Sequence, residues 1–184
     1  MAGEIKIFHA RLDALAPGLL AQVDAIFFEA SGRTLAPGPG REAFRERWLG
    51  RYLRGGSDAL ILALEGEDRV AGYLVGAVDN PGLQDRFADI SYFRSDFAEL
   101  CRHFPAHLHI NLDPAFRGRG IGARLIEAFA GYAAGQGAPG MHAVTGKGLR
   151  NVRFYERCGF REEGATRWGG RDIVLLGRPL AASA

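Results

Sequence analysis

Residues 107–129 read HLHINLDPAFRGRGIGARLIEAF. Three kinds of local order follow one another here. His107 to Leu112 alternates polar and apolar, the pattern of a strand with two different faces. From Arg117 to Arg124 the chain holds three glycines and three arginines. Ile121, Leu125, Ala128, Phe129 and Tyr132 then recur at helical spacing, which predicts a helix from about Gly120 to Ala134. A strand therefore runs through a glycine-rich, positively charged turn into a helix.

The turn has a physical use. A helix start leaves backbone N–H groups without internal partners, and the helix dipole adds partial positive charge there. An anion satisfies both, provided that no side chain blocks its approach. Gly118, Gly120 and Gly122 meet that condition. Arg117, Arg119 and Arg124 add charges that can pair with phosphate oxygens. The pattern is not a P-loop, because no Gly-Lys-Ser/Thr follows, and its glycine spacing fits a dinucleotide fingerprint poorly. A flexible turn, or a helix packed tightly on a strand, is the structural alternative.

Around this centre the elements alternate. Ile5 to Phe8 predicts a first strand. Leu15 to Ala30 predicts a helix through Leu19, Val23, Ile26 and Phe27, with Pro17 in its first turn. Ser31 to Gly40 reads as a loop, and Glu42 to Leu53 as a helix ended by Gly55-Gly56. Ala59–Leu64 and Val70–Val78 predict a hairpin across a short polar turn. Leu83 to Phe104 predicts one long helix, or two broken near Ile90–Tyr92. Met141–Thr145 predicts a strand, Leu149–Cys158 a short helix, and Phe160–Gly164 with Asp172–Leu176 two closing strands. Ala181–Ala184 is expected to fray.

Two stretches in this order resemble the GNAT superfamily of N-acetyltransferases. Leu112–Gly122 (LDPAFRGRGIG) is similar to that family's acetyl-CoA motif, Arg/Gln-x-x-Gly-x-Gly/Ala after a strand and an apolar-x-Pro turn. Asn151–Phe160 (NVRFYERCGF) is similar to its Tyr-Glu-x-x-Gly-Phe signature. The order of elements agrees from residue 5 to about 177. The shorter stretch Phe104–Ile110 resembles the acetyltransferase-like domain attached to O-GlcNAc hydrolases and its bacterial relatives. The resemblance implies an α/β GNAT-type acyl-CoA acyltransferase fold, a mixed twisted sheet of about six to seven strands flanked by helices, in a single domain over residues 1–184. It implies acetyl-CoA as cosubstrate and direct transfer to a primary amine in a ternary complex.

The family pattern carries over residue by residue. Ile110, Asn111 and Leu112 match the strand along which the pantetheine arm lies. Arg117, Gly118, Arg119, Gly120, Ile121, Gly122 and Ala123 match the pyrophosphate site. Tyr155 matches the tyrosine near the CoA sulfur, where a phenol can act as general acid; packing against Val152 is the structural alternative. The chain departs from better-known members in two ways. No acidic residue lies within His107–Leu112 or Met141–Thr145 to serve as base, and Gly148 stands where an asparagine is usual. His107 and His109 share one strand face, and an imidazole ordinarily titrates near neutral pH, so they are the candidate substitutes. They also suit a role as ordinary, locally satisfied strand residues, and the sequence offers no third ligand for a zinc site. Ser31–Gly40, Asp79–Tyr92 and Arg167–Arg171 match the segments that build the acceptor pocket, with Arg33, Trp168 and Arg171 as candidate contacts. A CoA-binding sensor or interaction module without transferase activity remains the alternative.

Composition sets outer limits. The chain has 184 residues, 47% hydrophobic and 24% charged, which suits one domain with a substantial core. A net charge of +2 is too small to make nucleic acid the main partner. No apolar run of roughly 18 residues predicts a membrane span, and the N-terminus lacks a signal-peptide pattern. Cys101 and Cys158 follow no metal spacing and suit reduced core positions in a cytoplasmic protein. Dimers are common in the family, so a homodimer is an open alternative. The acceptor is a small-molecule or peptide amine.

Overall fold

The computed structural model describes residues 3–54 and 58–181. The expected helix end at Gly55-Gly56 and the last three residues of the expected frayed tail lie outside the described residues. The elements are β1 (Ile5–Ala10), α1 (Pro17–Ala30), α2 (Pro39–Trp48), β2 (Asp58–Glu65), β3 (Arg69–Ala77), α3 (Ala98–His103), β4 (Ala106–Leu112), α4 (Ile121–Gly135), β5 (Gly140–Gly146), α5 (Arg150–Arg157), β6 (Arg161–Trp168) and β7 (Arg171–Pro179). Seven strands form one mixed sheet in the order β1-β2-β3-β4-β5-β7-β6, matching the expected fold class. Within it β4 and β5 run parallel, joined at Ala106–Met141 and His107–His142. A parallel pair needs a long crossover, and α4 supplies it.

The chain divides into two compact units, Met1–Gly76 with His109–Phe129, and Ala77–Leu108 with Ala130–Ala184. In the first unit β1 runs antiparallel to β2 from Ile5–Glu65 to Ala10–Leu60. Residues 59–64 of β2 and 70–77 of β3 are buried without interruption. That explains their unbroken apolar sequence, since strands covered on both faces need no polar alternation. Pro17 opens α1, and Leu19, Val23, Ile26 and Phe27 are its buried stripe.

In the second unit β7 pairs antiparallel with both β5 and β6. The β6–β7 turn, Gly169-Gly170, has φ of +56° and +77° at its two residues. A two-residue hairpin turn with both φ positive is what adjacent glycines permit. The two strands are longer than the apolar runs alone predict. β6 is mostly exposed and polar, as an outermost strand should be.

Two expected helices differ from the structure. α2 begins earlier, at Pro39, and stops at Trp48, because Leu49 leaves helical backbone and Gly50 is a poor helix former. Residues 50–53 continue as a single 3-10 turn. The long helix expected over 83–104 is absent; 3-10 turns at 81–83, 85–87 and 91–93 precede the short α3. Phe87, Ile90 and Phe93 are all buried and lie three apart. A spacing of three lines up on a 3-10 turn rather than on a 3.6-residue helix.

Close packing at β5 gives a test. A Cβ on Gly140 would lie 2.7 Å from the His103 carbonyl oxygen and 2.7 Å from Phe104 Cδ1. A Cβ on Gly131, in α4, would meet nothing within 4 Å. Gly140→Ala is expected to lower unfolding free energy by about 1–3 kcal/mol through overpacking. Gly131→Ala is expected to raise it by roughly 0.5–1 kcal/mol through helix propensity. Urea denaturation midpoints of the two variants should move in opposite directions.

Candidate functional site

The exit from β4 is built by short-range bonds. Asp113 Oδ1 accepts the Ala115 N–H at 2.8 Å, fixing the turn over Pro114–Phe116. Gly118 and Gly120 then take φ of +77° and +74°, and an added Cβ at either would meet nothing within 4 Å. These positions need glycine for backbone conformation, and the absent side chains leave open space. The Arg124 N–H bonds the Gly120 carbonyl at 3.2 Å. The amides of Ile121, Gly122 and Ala123 precede it in the first turn and have no carbonyl a helical turn earlier. Buried Ile121, Leu125, Ile126 and Phe129 anchor the helix beneath them.

The three arginines are tied to this frame. Arg117 Nη2 donates to the Leu112 carbonyl at 3.3 Å, and Arg124 Nη2 to the Ile5 carbonyl at 3.0 Å. The Arg119 guanidinium lies 5.0 Å from the Phe116 ring centroid, a ring that Arg69 also covers at 4.5 Å. All three remain exposed. Backbone dipoles and exposed charges thus lie along one short stretch of chain with open space at Gly118 and Gly120, a set chemically suited to a diphosphate. A separate cleft of about 460 Å³, lined by Arg11, Asp13, Tyr52, Arg54 and Asp58 among others, opens at the Ala10 end of β1. Arg124 anchors the cradle at the Ile5 end of that strand.

Along β4, Ala106, His107 and Leu108 are buried, and His109 to Leu112 are half-buried. His109 is met edge-on by Trp48 at 5.7 Å and Tyr52 at 5.3 Å. Asn111 Nδ2 donates to the Tyr73 hydroxyl at 2.8 Å. Tyr73 is fully buried, and burial raises its pKa well above the usual phenol range. Sequence reasoning missed Tyr73, since it sits inside an apolar run with no distinguishing neighbour. In the segments expected to build the acceptor pocket, Arg33 lies over the Phe44 ring at 5.0 Å. Trp168 meets Tyr92 edge-on at 5.2 Å, and Arg171 is exposed opposite Trp168 in the β6–β7 register.

Tyr155 belongs to the second unit. α5 buries it on its inner face, and Gly159 ends the helix with φ of +85°. The Phe160 N–H returns to the Tyr155 carbonyl at 3.1 Å, closing the helix end. Phe160 packs edge-on against Tyr155 at 5.4 Å. The Tyr-Glu-x-x-Gly-Phe order therefore has a mechanical reason. The tyrosine fills the helix face, the glycine reverses the chain, and the phenylalanine returns to cover the ring. Burial, with a smaller contribution from Cys158, raises the Tyr155 pKa above the usual phenol range, so it stays protonated at neutral pH. Asn151 is engaged with Thr145, donating from Nδ2 to Oγ1 at 2.8 Å.

His107 is 2% exposed and stacks on His142 at 5.6 Å, with Phe87 and Phe93 around it. His142 is fully buried. The Phe104 carbonyl can only accept, so His142 Nδ1 carries the proton and donates to it. That leaves Nε2 as a buried acceptor without a hydrogen-bond partner. The sequence carried no signal for this, because His142 stands within an apolar strand pattern.

The model of the acetyltransferase (GNAT) family matches residues 24–160. Among solved structures, the protein named SsHAT superposes with a TM-score of 0.69 at 19% identity, covering 96% of this chain and 98% of its own. A GCN5-related N-acetyltransferase from Kribbella flavida gives 0.63 at 16% identity, covering 96% and 98%. An acetyltransferase of the GNAT family from Streptococcus pneumoniae gives 0.59 at 17%, covering 97% and 100%. At these identities the likeness is one of fold.

The buried imidazole sets a pH dependence. Burial pulls the His142 pKa down from its ordinary 6.5 to about 4, against the raising effect of the Phe104 bond. The unfolded chain takes a proton that the folded one refuses. This group's stabilisation is therefore intact above pH 6.5 and is lost as pH falls towards 4. The loss across that window is expected to be roughly 3 kcal/mol. His142→Gln, neutral throughout, should flatten the slope in urea melts taken across the window; an unchanged slope would place the acid sensitivity elsewhere.

Proposed function

We propose that this chain, which belongs to the acetyltransferase (GNAT) family, passes an acetyl group from acetyl-CoA to a primary amine by direct attack in a ternary complex. Members of the family are acetyl-CoA-dependent acyltransferases, and that class fixes the cosubstrate. The amine acceptor is our inference. We take residues 1–184 as one catalytic domain, because the boundary between the two compact units falls within β3, β4 and α4 rather than in a linker.

One observation supports the proposal: at Gly118 and Gly120, immediately before the first turn of α4, an added Cβ would meet nothing within 4 Å. The residues fit a diphosphate there. Backbone N–H groups of residues 118–123 would hold its oxygens, and Arg117, Arg119 and Arg124 would supply compensating charge. Ile110, Asn111 and Leu112 would hold the pantetheine arm along β4 in the manner of an added strand.

Tyr155 is our general acid. Its phenol stays protonated at neutral pH, and it gives that proton to the thiolate as the C–S bond breaks. His109 is our general base, half-buried on β4; it takes a proton from the acceptor nitrogen, directly or through water, as the C–N bond forms. His107, two residues earlier on the same strand face, would act only through such a relay, because it is buried. Cys158 has no part in direct attack, since no covalent acetyl-enzyme forms. The stretch Phe104–Ile110 supports kinship with the domain attached to O-GlcNAc hydrolases. Cys101 and Cys158, both buried and not joined in a disulfide, support a reducing cytoplasmic setting.

Two measurements test the proposal. Calorimetry with CoA should detect binding, and Gly120→Val, which strains a φ of +74°, should weaken it by at least about tenfold. Thiol release from acetyl-CoA should then be followed against a panel of amines. Tyr155→Phe is expected to lower turnover roughly a hundredfold while leaving CoA affinity within about twofold. Tight binding with no release for any amine would make the protein a CoA-binding module instead.

A further inference from the structure

We propose that the Tyr73 hydroxyl is a positioning group for acetyl-CoA binding, acting through the side chain of Asn111 on β4. This rests on the assignment above of Ile110–Leu112 to the pantetheine arm.

Three consecutive residues of β3 grip the end of β4. The Asp113 N–H donates to the Ala71 carbonyl at 3.1 Å. At Gly72 the backbones approach so closely that an added Cβ would lie 2.2 Å from Leu112 Cδ2 and 3.0 Å from the Asn111 carbonyl oxygen. The Tyr73 hydroxyl accepts the Asn111 side-chain amide at 2.8 Å. The clamp sits one residue before the turn that leads to the α4 amides, so it sets where the strand ends and the cradle begins.

The hydroxyl has a particular task within the clamp. Asparagine is a poor strand residue because its side chain competes for nearby backbone groups. The Asn111 carbonyl faces Gly72. Successive carbonyls of a strand point to opposite sides, so those of Ile110 and Leu112 point away from β3. Arg117 already donates to the Leu112 carbonyl, so a loose Asn111 amide would be a local donor chiefly for that of Ile110, in competition with a ligand. Tied to Tyr73, it is held clear of it. The phenol is suited to this use, since full burial fixes its ring. A phenylalanine would fill the same space and leave Asn111 untethered.

The test is a double-mutant cycle read by calorimetry with CoA, which needs no knowledge of the acceptor. Tyr73→Phe keeps the ring and is expected to raise the CoA dissociation constant about fivefold, the size of one hydrogen bond's net effect. Asn111→Ala should raise it by a similar factor, and the double variant should bind no more weakly than Asn111→Ala alone. The inference is overturned if Tyr73→Phe lowers the thermal midpoint while CoA affinity stays at the wild-type value. It is equally overturned if the two losses multiply. A wild-type protein that binds no CoA would sink the functional assignment itself, whereas normal wild-type binding with an indifferent Tyr73→Phe sinks only the role of the hydroxyl.

Discussion

An α-helix cannot satisfy its own first amides, and the proposed diphosphate site at α4 would draw on that deficit. The donors of the first turn are fixed by the fold, and no side chain need be ordered to present them. What the sequence must supply is an approach. Positive φ at Gly118 and Gly120 bends the chain into the helix without filling the space in front of it. Asp113 and Pro114 fix the turn just before. Ile121, Leu125 and Phe129 bury the other side of the helix and hold its axis. Removing any of these would leave the same amides in existence but no longer aimed.

In the second unit, as at Tyr73 in the first, burial keeps ionisable groups neutral. Desolvation pushes the Cys101 thiol up to about 12 and raises the Tyr155 phenol, while it pulls the His142 imidazole down to about 4. All three shifts have the same leading cause, the loss of water around the charged form. A thiol so raised is a poor nucleophile, which fits a core role for Cys101. The same effect on Tyr155 preserves a proton that an exposed phenol would share with solvent. His142 lacks this kind of use: its Nε2 is buried without a hydrogen-bond partner, which is a cost to the fold.

The residues differ in how much of this they disclosed in the sequence. Helical spacing located α1 and α4 because each buries one face, and a one-faced helix writes its period into the chain. The glycine turn was legible because alternating glycines before an apolar helix have few structural uses. Residues 83–104 misled because Phe93, Phe97, Leu100 and Phe104 fit a helical period. The competing spacing of three at Phe87, Ile90 and Phe93 belongs to shorter turns. Tyr73 was hidden for another reason. In a strand buried on both faces no alternation remains to single out a polar side chain, so its partner, 38 positions away at Asn111, is visible only in three dimensions.

The arginines beside the cradle divide the work differently from the amides. Each is exposed, and each already has a local partner: Leu112 O for Arg117, the Phe116 ring for Arg119, Ile5 O for Arg124. An exposed guanidinium interacts weakly at equilibrium and is screened by salt within about 8–10 Å. Three of them along one short stretch would nevertheless create a field that draws an anion towards the proposed site and speeds its arrival. The amides, fixed in the helix, would act at contact and govern departure. Affinity at this site should therefore depend on the glycines, which keep the amides accessible. Ionic strength should act mainly on the rate of encounter, through the arginines.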